Sequence, residues 1–213
     1  MIKFNLKFIT HAILCLNLFF VLSCTTTPIE PVRVPIGTPL LIDSKARVKA
    51  GGDEHSIQIQ MALLPQKFIR MEVTALLGYK VASILMSPQR LQYALHTNHT
   101  YYDGPMSARS LFPIFKKSID PLILWKVIHG QNPQNADLHC QLDEKQRPQR
   151  CVGQPELQVL WTYEDNPIQK RIDIKSNQFE MAWIFKNQTV LEADQNETFV
   201  LKKPEGYKEF VLK

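Results

Sequence analysis

Period-two alternation of apolar and polar residues, repeated along most of this chain, restricts it to sheet. Ser56-Ile-Gln-Ile-Gln-Met-Ala-Leu63 alternates, with Ile57, Ile59 and Met61 of one parity. Phe68-Ile-Arg-Met-Glu-Val-Thr74 follows, with Ile69, Met71 and Val73 on one face. Successive side chains of a strand point to opposite faces, so this pattern specifies half-buried strands. Leu64-Pro65-Gln66 between them reads as a short hairpin connection. Tyr79 to Met86 predicts a further strand ended by Ser87-Pro88, and Leu91 to Thr97 and Thr100 to Tyr102 continue the series. Later in the chain, Leu157 to Glu164 and Ile168 to Ile174 flank the turn signal Asp165-Asn166-Pro167. Gln178 to Lys186 places Phe179, Met181, Trp183 and Phe185 on one face, and Glu197 to Leu201 and Tyr207 to Leu212 read as the last strands. Short connections between consecutive strands predict an antiparallel meander.

The middle of the chain breaks this period. Ser107 to Lys116 predicts a short helix disturbed by Pro113. Asp120-Pro121 is a helix start, with a carboxylate at the N-cap and proline in the first turn. The following Leu122-Ile-Leu-Trp-Lys-Val-Ile-His-Gly130 is apolar almost all round and ends on a glycine suited to the C-cap. A helix apolar on every side must be buried. In a chain of many strands, a curved sheet wrapped around that helix is the natural packing solution.

The amino-terminal residues carry a different signal. Lys3 and Lys7 precede an apolar run, Phe8 to Leu22, that closes in Val21-Leu22-Ser23-Cys24. A basic start, an apolar stretch and a small residue describe a secretory signal over residues 1–23, and the cysteine after the small residue predicts lipidation at Cys24. The run of 15 residues is interrupted by His11 and Asn17 and is short for a membrane span. Two or three acyl chains on Cys24 would anchor the chain stably where one would not. Residues 24–40 hold Pro28, Pro31, Pro35 and Pro39 and read as an extended tether. One folded domain is expected over residues 41–213.

Loss of Lys3 and Lys7 with the signal takes the formal charge from +5 to +3, spread along the chain. That excess points to ordinary solubility and weak attraction to anionic lipid, not to nucleic acid. Besides Cys15 and Cys24, only Cys140 and Cys151 remain. Export would place them in an oxidising compartment, and the polar segment between them reads as a loop closed by a disulfide. A metal site would need further ligands, and only His139 is adjacent.

The order of elements, the Leu76-Leu77-Gly78 loop between two strands, and the helix ending in Leu122-Ile-Leu-Trp125 and Val127-Ile-His-Gly130 resemble the LolA/LolB superfamily of periplasmic lipoprotein carriers and acceptors. LolB-like proteins carry a Pro-Leu-Gly-type loop and a Leu-x-x-Trp-x-x-x-Gly-type helix end at similar spacing; here Ala75 and Leu76 depart from the usual approach to the loop. The resemblance implies a mainly β (α+β) fold: an open antiparallel half-barrel of about ten or eleven strands, with two or three short helices as a lid over an apolar concave face. It implies an apolar cavity that accepts acyl chains of lipoprotein cargo from a LolA-type carrier, in a monomer anchored to the bacterial outer membrane and facing the periplasm. Leu77 would then help insert cargo in the bilayer, although Leu76 and Leu77 can also be read as the end of a buried strand. Ile57, Ile59, Met61, Ile69, Met71, Val73, Phe179, Met181, Trp183 and Phe185, with Trp125 on the lid, are candidates for the cavity wall. The same residues can equally fill a closed core.

No cofactor, metal or catalytic constellation is expected. His96, His99 and Asp103 lack a fourth ligand, and strand geometry would turn the two histidines to opposite faces. Ser107, Ser110 and Ser118 sit in no nucleophile elbow, and Gly51-Gly52 lacks the rest of a phosphate loop. Two functions other than the acceptor fit the sequence: a scaffold lipoprotein of an envelope complex, and a binder of another lipid. An open apolar cavity under the 120–130 helix would mark an acceptor or lipid binder, and a filled interior would mark a scaffold.

Overall fold

The computed structural model describes residues 37–50, 52–75, 77–115, 120–135, 137–153, 156–164, 169–177 and 179–212. The signal over residues 1–23, Cys24, most of the tether and Leu76 lie outside the described residues. Twelve strands form one sheet. They are β1 (Leu40–Ala50), β2 (Asp53–Leu64), β3 (Phe68–Ala75), β4 (Lys80–Met86), β5 (Arg90–Leu95), β6 (Thr100–Pro105), β7 (Leu138–Leu142), β8 (Pro148–Gly153), β9 (Leu157–Tyr163), β10 (Lys170–Ser176), β11 (Phe179–Val190) and β12 (Lys208–Glu209). Among the described residues there are also three short helices, α1 (Phe112–Phe115), α2 (Pro121–Ile128) and α3 (Gln195–Thr198).

The sheet order is β12-β6-β5-β4-β3-β2-β1-β11-β10-β9-β8-β7, with β7 and β12 as its edges among the described residues. The two meanders join where β1 pairs antiparallel with both β2 and β11. Every pairing is antiparallel except the two-residue contact of β12 with β6, which is parallel. Inward residues of strands from β1 to β11 meet α2 in a single apolar cluster. A sheet this wide can bury one face against so little helix only by curving on itself.

A second, smaller cluster lies on the outer face. After β11 the chain crosses behind β2–β6, and Phe199 and Leu201 pack on Ala62, Leu85, Ala94 and Tyr101. Phe68 stacks on Phe199 with ring centroids 5.7 Å apart. Arg70 donates to the Val200 carbonyl at 3.0 Å.

The expected largely antiparallel open sheet is present, with twelve strands among the described residues, and several finer expectations change. Strands not read from the sequence are β1 and the hairpin around the disulfide: Cys140 and Cys151 sit directly opposite on β7 and β8, and only the tip between them is a turn. Asp143 makes that tip, accepting from the Lys145 and Arg147 amides and from Arg147 Nε at 2.7 Å. Residues 197–201, read as a strand, instead hold the end of α3 and a loop, because Asp194 caps a helical turn through the Asn196 amide at 2.8 Å. Residues 207–212 contribute only β12 to the sheet.

Candidate functional site

The helix α2 is built as its sequence dictates. Asp120 Oδ1 accepts from the Leu122 amide at 2.9 Å, and Pro121 occupies the first turn, where no amide is needed. At the other end Gly130, at φ 66°, allows the chain to reverse. Its amide donates to Val127 O at 3.2 Å and that of Gln131 to Lys126 O at 2.8 Å, the paired bonds of a Schellman motif. The helix buries Pro121, Trp125, Val127 and Ile128 on the inner face of the sheet. It is not enclosed, as the sequence suggested, because Ile123 and Leu124 are half-buried and Leu122 is 38% exposed. A helix with one apolar side against a sheet and another toward solvent is placed as a lid.

Beneath α2 lies a pocket of about 30 Å³ lined by Ile123, Leu124, Val127, Leu157, Val159, Ile174, Phe179 and Met181, without a polar residue. That volume holds about one or two molecules the size of water, so the pocket is closed to an acyl chain in this state. Of the candidate wall residues, Phe179 and Met181 line it. Ile59, Met61, Ile69, Met71, Val73, Trp125, Trp183 and Phe185 are buried in the inner cluster, with Ile57 half-buried beside them. A larger hollow of about 390 Å³ lies on the outer face, where Lys45, Arg47 and Arg171 line an open groove. Arg47 and Arg171 pair there with Glu54 and Asp173, and the groove does not match an apolar ligand.

The inner wall grades from apolar to polar along β9–β11. Register aligns Val159, Ile174 and Met181 in one row and Trp161, Ile172 and Trp183 in the next. Beyond them Lys170 pairs with Tyr163 and sets its Nζ 4.7 Å from the centre of the Phe185 ring. Trp183 Nε1 donates to Ser44 Oγ at 2.9 Å, and Ser44 Oγ donates to Ile59 O at 2.9 Å. Trp161 is 4% exposed, and its Nε1 has no partner among the described residues. Lys170 Nζ donates to the Ile128 carbonyl at 3.3 Å and forms no ion pair among the described residues. Lys170 is half-buried as a residue, and burial of its ammonium pushes it down to about 8.

A second contact holds the same end of the lid. His129 Nδ1 lies 2.9 Å from Trp125 O, which can only accept, so this nitrogen carries the proton. Nε2 is then free to accept from the Gln66 amide at 3.3 Å, in the turn between β2 and β3. Burial lowers the pKa of His129 and favours this neutral form.

Leu77 and Gly78, in the β3–β4 connection, have φ of 80° and 79°. Leu77 is 92% exposed and Tyr79 71%. The Ala75 amide donates to Tyr79 O at 2.9 Å and closes the loop. Strand register puts this loop at the same end of the sheet as Phe179, Ile174 and Leu157, the strand side of the apolar pocket. Lys170 and Gln66 mark the opposite end.

His96 and His99 do not diverge as strand geometry would require. They lie in and beside the β5–β6 turn, and both rings meet Tyr207 edge-on, with centroids 5.8 and 5.1 Å away. Tyr207 OH lies 2.7 Å from His96 Nδ1, His96 Nε2 lies 3.0 Å from Ser83 Oγ, and Ser83 donates to Glu72. Arg70 pairs with Glu72. This chain of contacts clips the carboxy-terminal segment to the outer face. Ser83 gives its proton to a carboxylate, so the histidine beside it activates no nucleophile. Among the described residues no group of His, Cys, Asp and Glu could hold a metal.

Sequence reasoning missed Lys170 and Trp161. Their parity was readable, since Lys170, Ile172 and Ile174 alternate, as do Val159 and Trp161. What hid them is that a lysine beginning a strand ordinarily reaches solvent.

No protein-family model and no curated protein matches the sequence. The fold overlaps in part with solved structures. A LolA superfamily protein from Nitrosomonas europaea shares 10% identity, covers 77% of this chain and 91% of its own, and superposes with a TM-score of 0.45. A domain assigned to outer membrane lipoprotein sorting from Vibrio parahaemolyticus shares 8% identity over 76% of this chain and 89% of its own, with a TM-score of 0.49. A DUF1329 family protein from Desulfovibrio piger shares 10% identity over 78% and 90%, with a TM-score of 0.44. Identities and TM-scores of this size leave the functional reading to the geometry of the chain's own residues.

Proposed function

We propose that this chain is a membrane-anchored lipoprotein that takes acyl chains of other lipoproteins under α2 and helps insert them in the outer membrane. The observation that carries the reading is the wholly apolar pocket beneath a lid helix, at the same end of the sheet as the exposed Leu77 loop. No covalent chemistry is involved. Apolar surface costs about 25 cal/mol per Å² to expose to water, and almost nothing to move between two apolar sites. Lid movement would convert the closed pocket into an acyl site, because Ile123 and Leu124 form its roof. Lipidation at Cys24 would hold the domain at the bilayer, and the Cys140–Cys151 disulfide fits an oxidising envelope compartment.

Transfer of a radiolabelled lipoprotein from a LolA-type carrier to the purified chain tests this reading; cargo that stays on the carrier would sink it. Leu77→Glu should leave acceptance intact and impair delivery to liposomes. The scaffold reading rests on a different observation, the filling of nearly all the interior by side chains, which is the outcome expected of a scaffold; the acceptor reading therefore depends on α2 lifting. The scaffold reading predicts no transfer, together with a stable partner recovered from the envelope.

A further inference from the structure

The apolar pocket and the two polar groups on the inner wall form one graded surface. Phe179, Met181 and Ile174 supply the apolar end beneath α2. One row along comes Trp161, whose Nε1 has no partner among the described residues. Beyond it is Lys170, whose ammonium faces an aromatic ring and a single carbonyl, with no carboxylate partner among the described residues. An indole N–H without an acceptor leaves a buried donor uncompensated, and an ammonium held by one neutral oxygen lacks its counter-charge. Neither is needed to fill a core, where leucine or phenylalanine would serve. Both donate, so the complementary ligand brings oxygens and negative charge. The lid contact to Lys170 is made through the Ile128 carbonyl, which an anionic group would replace as α2 lifts.

We infer that the inner wall of β9–β11 binds a single-chain anionic amphiphile, its carboxylate or phosphate at Lys170 and Trp161 Nε1 and its tail in the pocket under α2. This inference goes beyond the acceptor reading, because acyl chains held in the esters and amide of a lipoprotein carry no free carboxylate or phosphate; the two share only the apolar pocket under α2. Among the described residues, the groups that face Lys170 are Tyr163 on β9, Phe185 on β11 and His129 after α2. None of these is anionic near neutral pH, so the bound head would be the counter-ion of the lysine.

Calorimetric titration of the full chain with tetradecanoate, tetradecyl phosphate and uncharged tetradecanol tests it. Either anion should bind about tenfold or more tightly than the alcohol at neutral pH, the size expected of a charge-assisted hydrogen bond. Tighter binding of the carboxylate or of the phosphate identifies which head the site prefers. Lys170→Met should reduce anion binding to the level of the alcohol and leave the alcohol unchanged. Lys170→Gln, which keeps a donor toward Ile128 O, should do the same. Equal affinity for anion and alcohol, or equal losses for both in the variants, would overturn the head-group assignment while leaving the acyl-chain reading standing. Binding of none of the three would overturn this inference and leave the acceptor reading to the transfer assay.

Discussion

Leu77 holds a left-handed backbone conformation, at φ 80°, that costs an L-residue about 1–2 kcal/mol. The side chain gains nothing in exchange, since it is 92% exposed. Strain kept where it does not serve stability is a mark of a working position. Leu77→Gly should therefore raise stability by up to about 1 kcal/mol in urea unfolding while weakening membrane delivery; a loss of stability would show that Leu77 supports the fold. Lys170 is the second residue whose cost is visible. Its pKa of about 8 lies below the ordinary 10.5, so between these values the unfolded chain binds more protons than the folded one. Stability should rise with pH through that window, and Lys170→Met should flatten the rise. A urea midpoint that does not change from pH 8 to pH 10 in the native chain would contradict this assignment.

Among the elements, α2 is the one that the proposed acyl-chain uptake requires to move. Its caps are complete and local, whereas its polar attachments to the sheet are Lys170 to Ile128 O and the Gln66 amide to His129. The His129 pKa is depressed by burial, so protonation is resisted in the folded state and stability is lost as pH falls below the ordinary 6.5. A protonated Nε2 can no longer accept from Gln66. Amide exchange of residues 121–128, corrected for intrinsic rate, should quicken relative to β1 as pH drops from 7 to 5; uniform change would remove His129 from the lid contact. The β7–β8 hairpin behaves in the opposite way. It forms an edge of the sheet among the described residues, and the Cys140–Cys151 bond, the Asp143 turn and the Arg147 guanidinium 4.0 Å from the centre of the Tyr163 ring all restrain it. Reduction should lower stability by about 2–3 kcal/mol by the loop-entropy account. Thermal melts with and without reductant measure it, and exchange should rise first in residues 138–142.

At the scale of the whole molecule, the sheet is covered on both faces: the inner face by itself and α2, the outer face over β2–β6 by the carboxy-terminal segment. Phe199 is the main apolar contact of that segment, 8% exposed and stacked on Phe68. Phe199→Ala should cost about 3–5 kcal/mol and make residues 199–212 susceptible to protease; an unchanged digestion pattern would show that the Tyr207–His96 clip suffices. Much of this plan was legible in the chain. The parity of Ile59, Met61, Ile69, Met71, Val73, Phe179, Met181, Trp183 and Phe185 is a local property of alternation, and all of them face the interior. Asp120, Pro121 and Gly130 mark the helix because caps depend on residues within one turn. The cysteine pair was legible because Cys140 and Cys151 are the two that remain besides Cys15 and Cys24, though the strands carrying it were hidden in a polar segment. Tertiary structure alone decided the pairing of β1 with β11, the outward packing of Phe199, the placement of Lys170 under the lid and the small volume left beneath α2. Each depends on contacts between elements well separated in the chain, and on how closely their side chains meet, and neither quantity is carried by local periodicity.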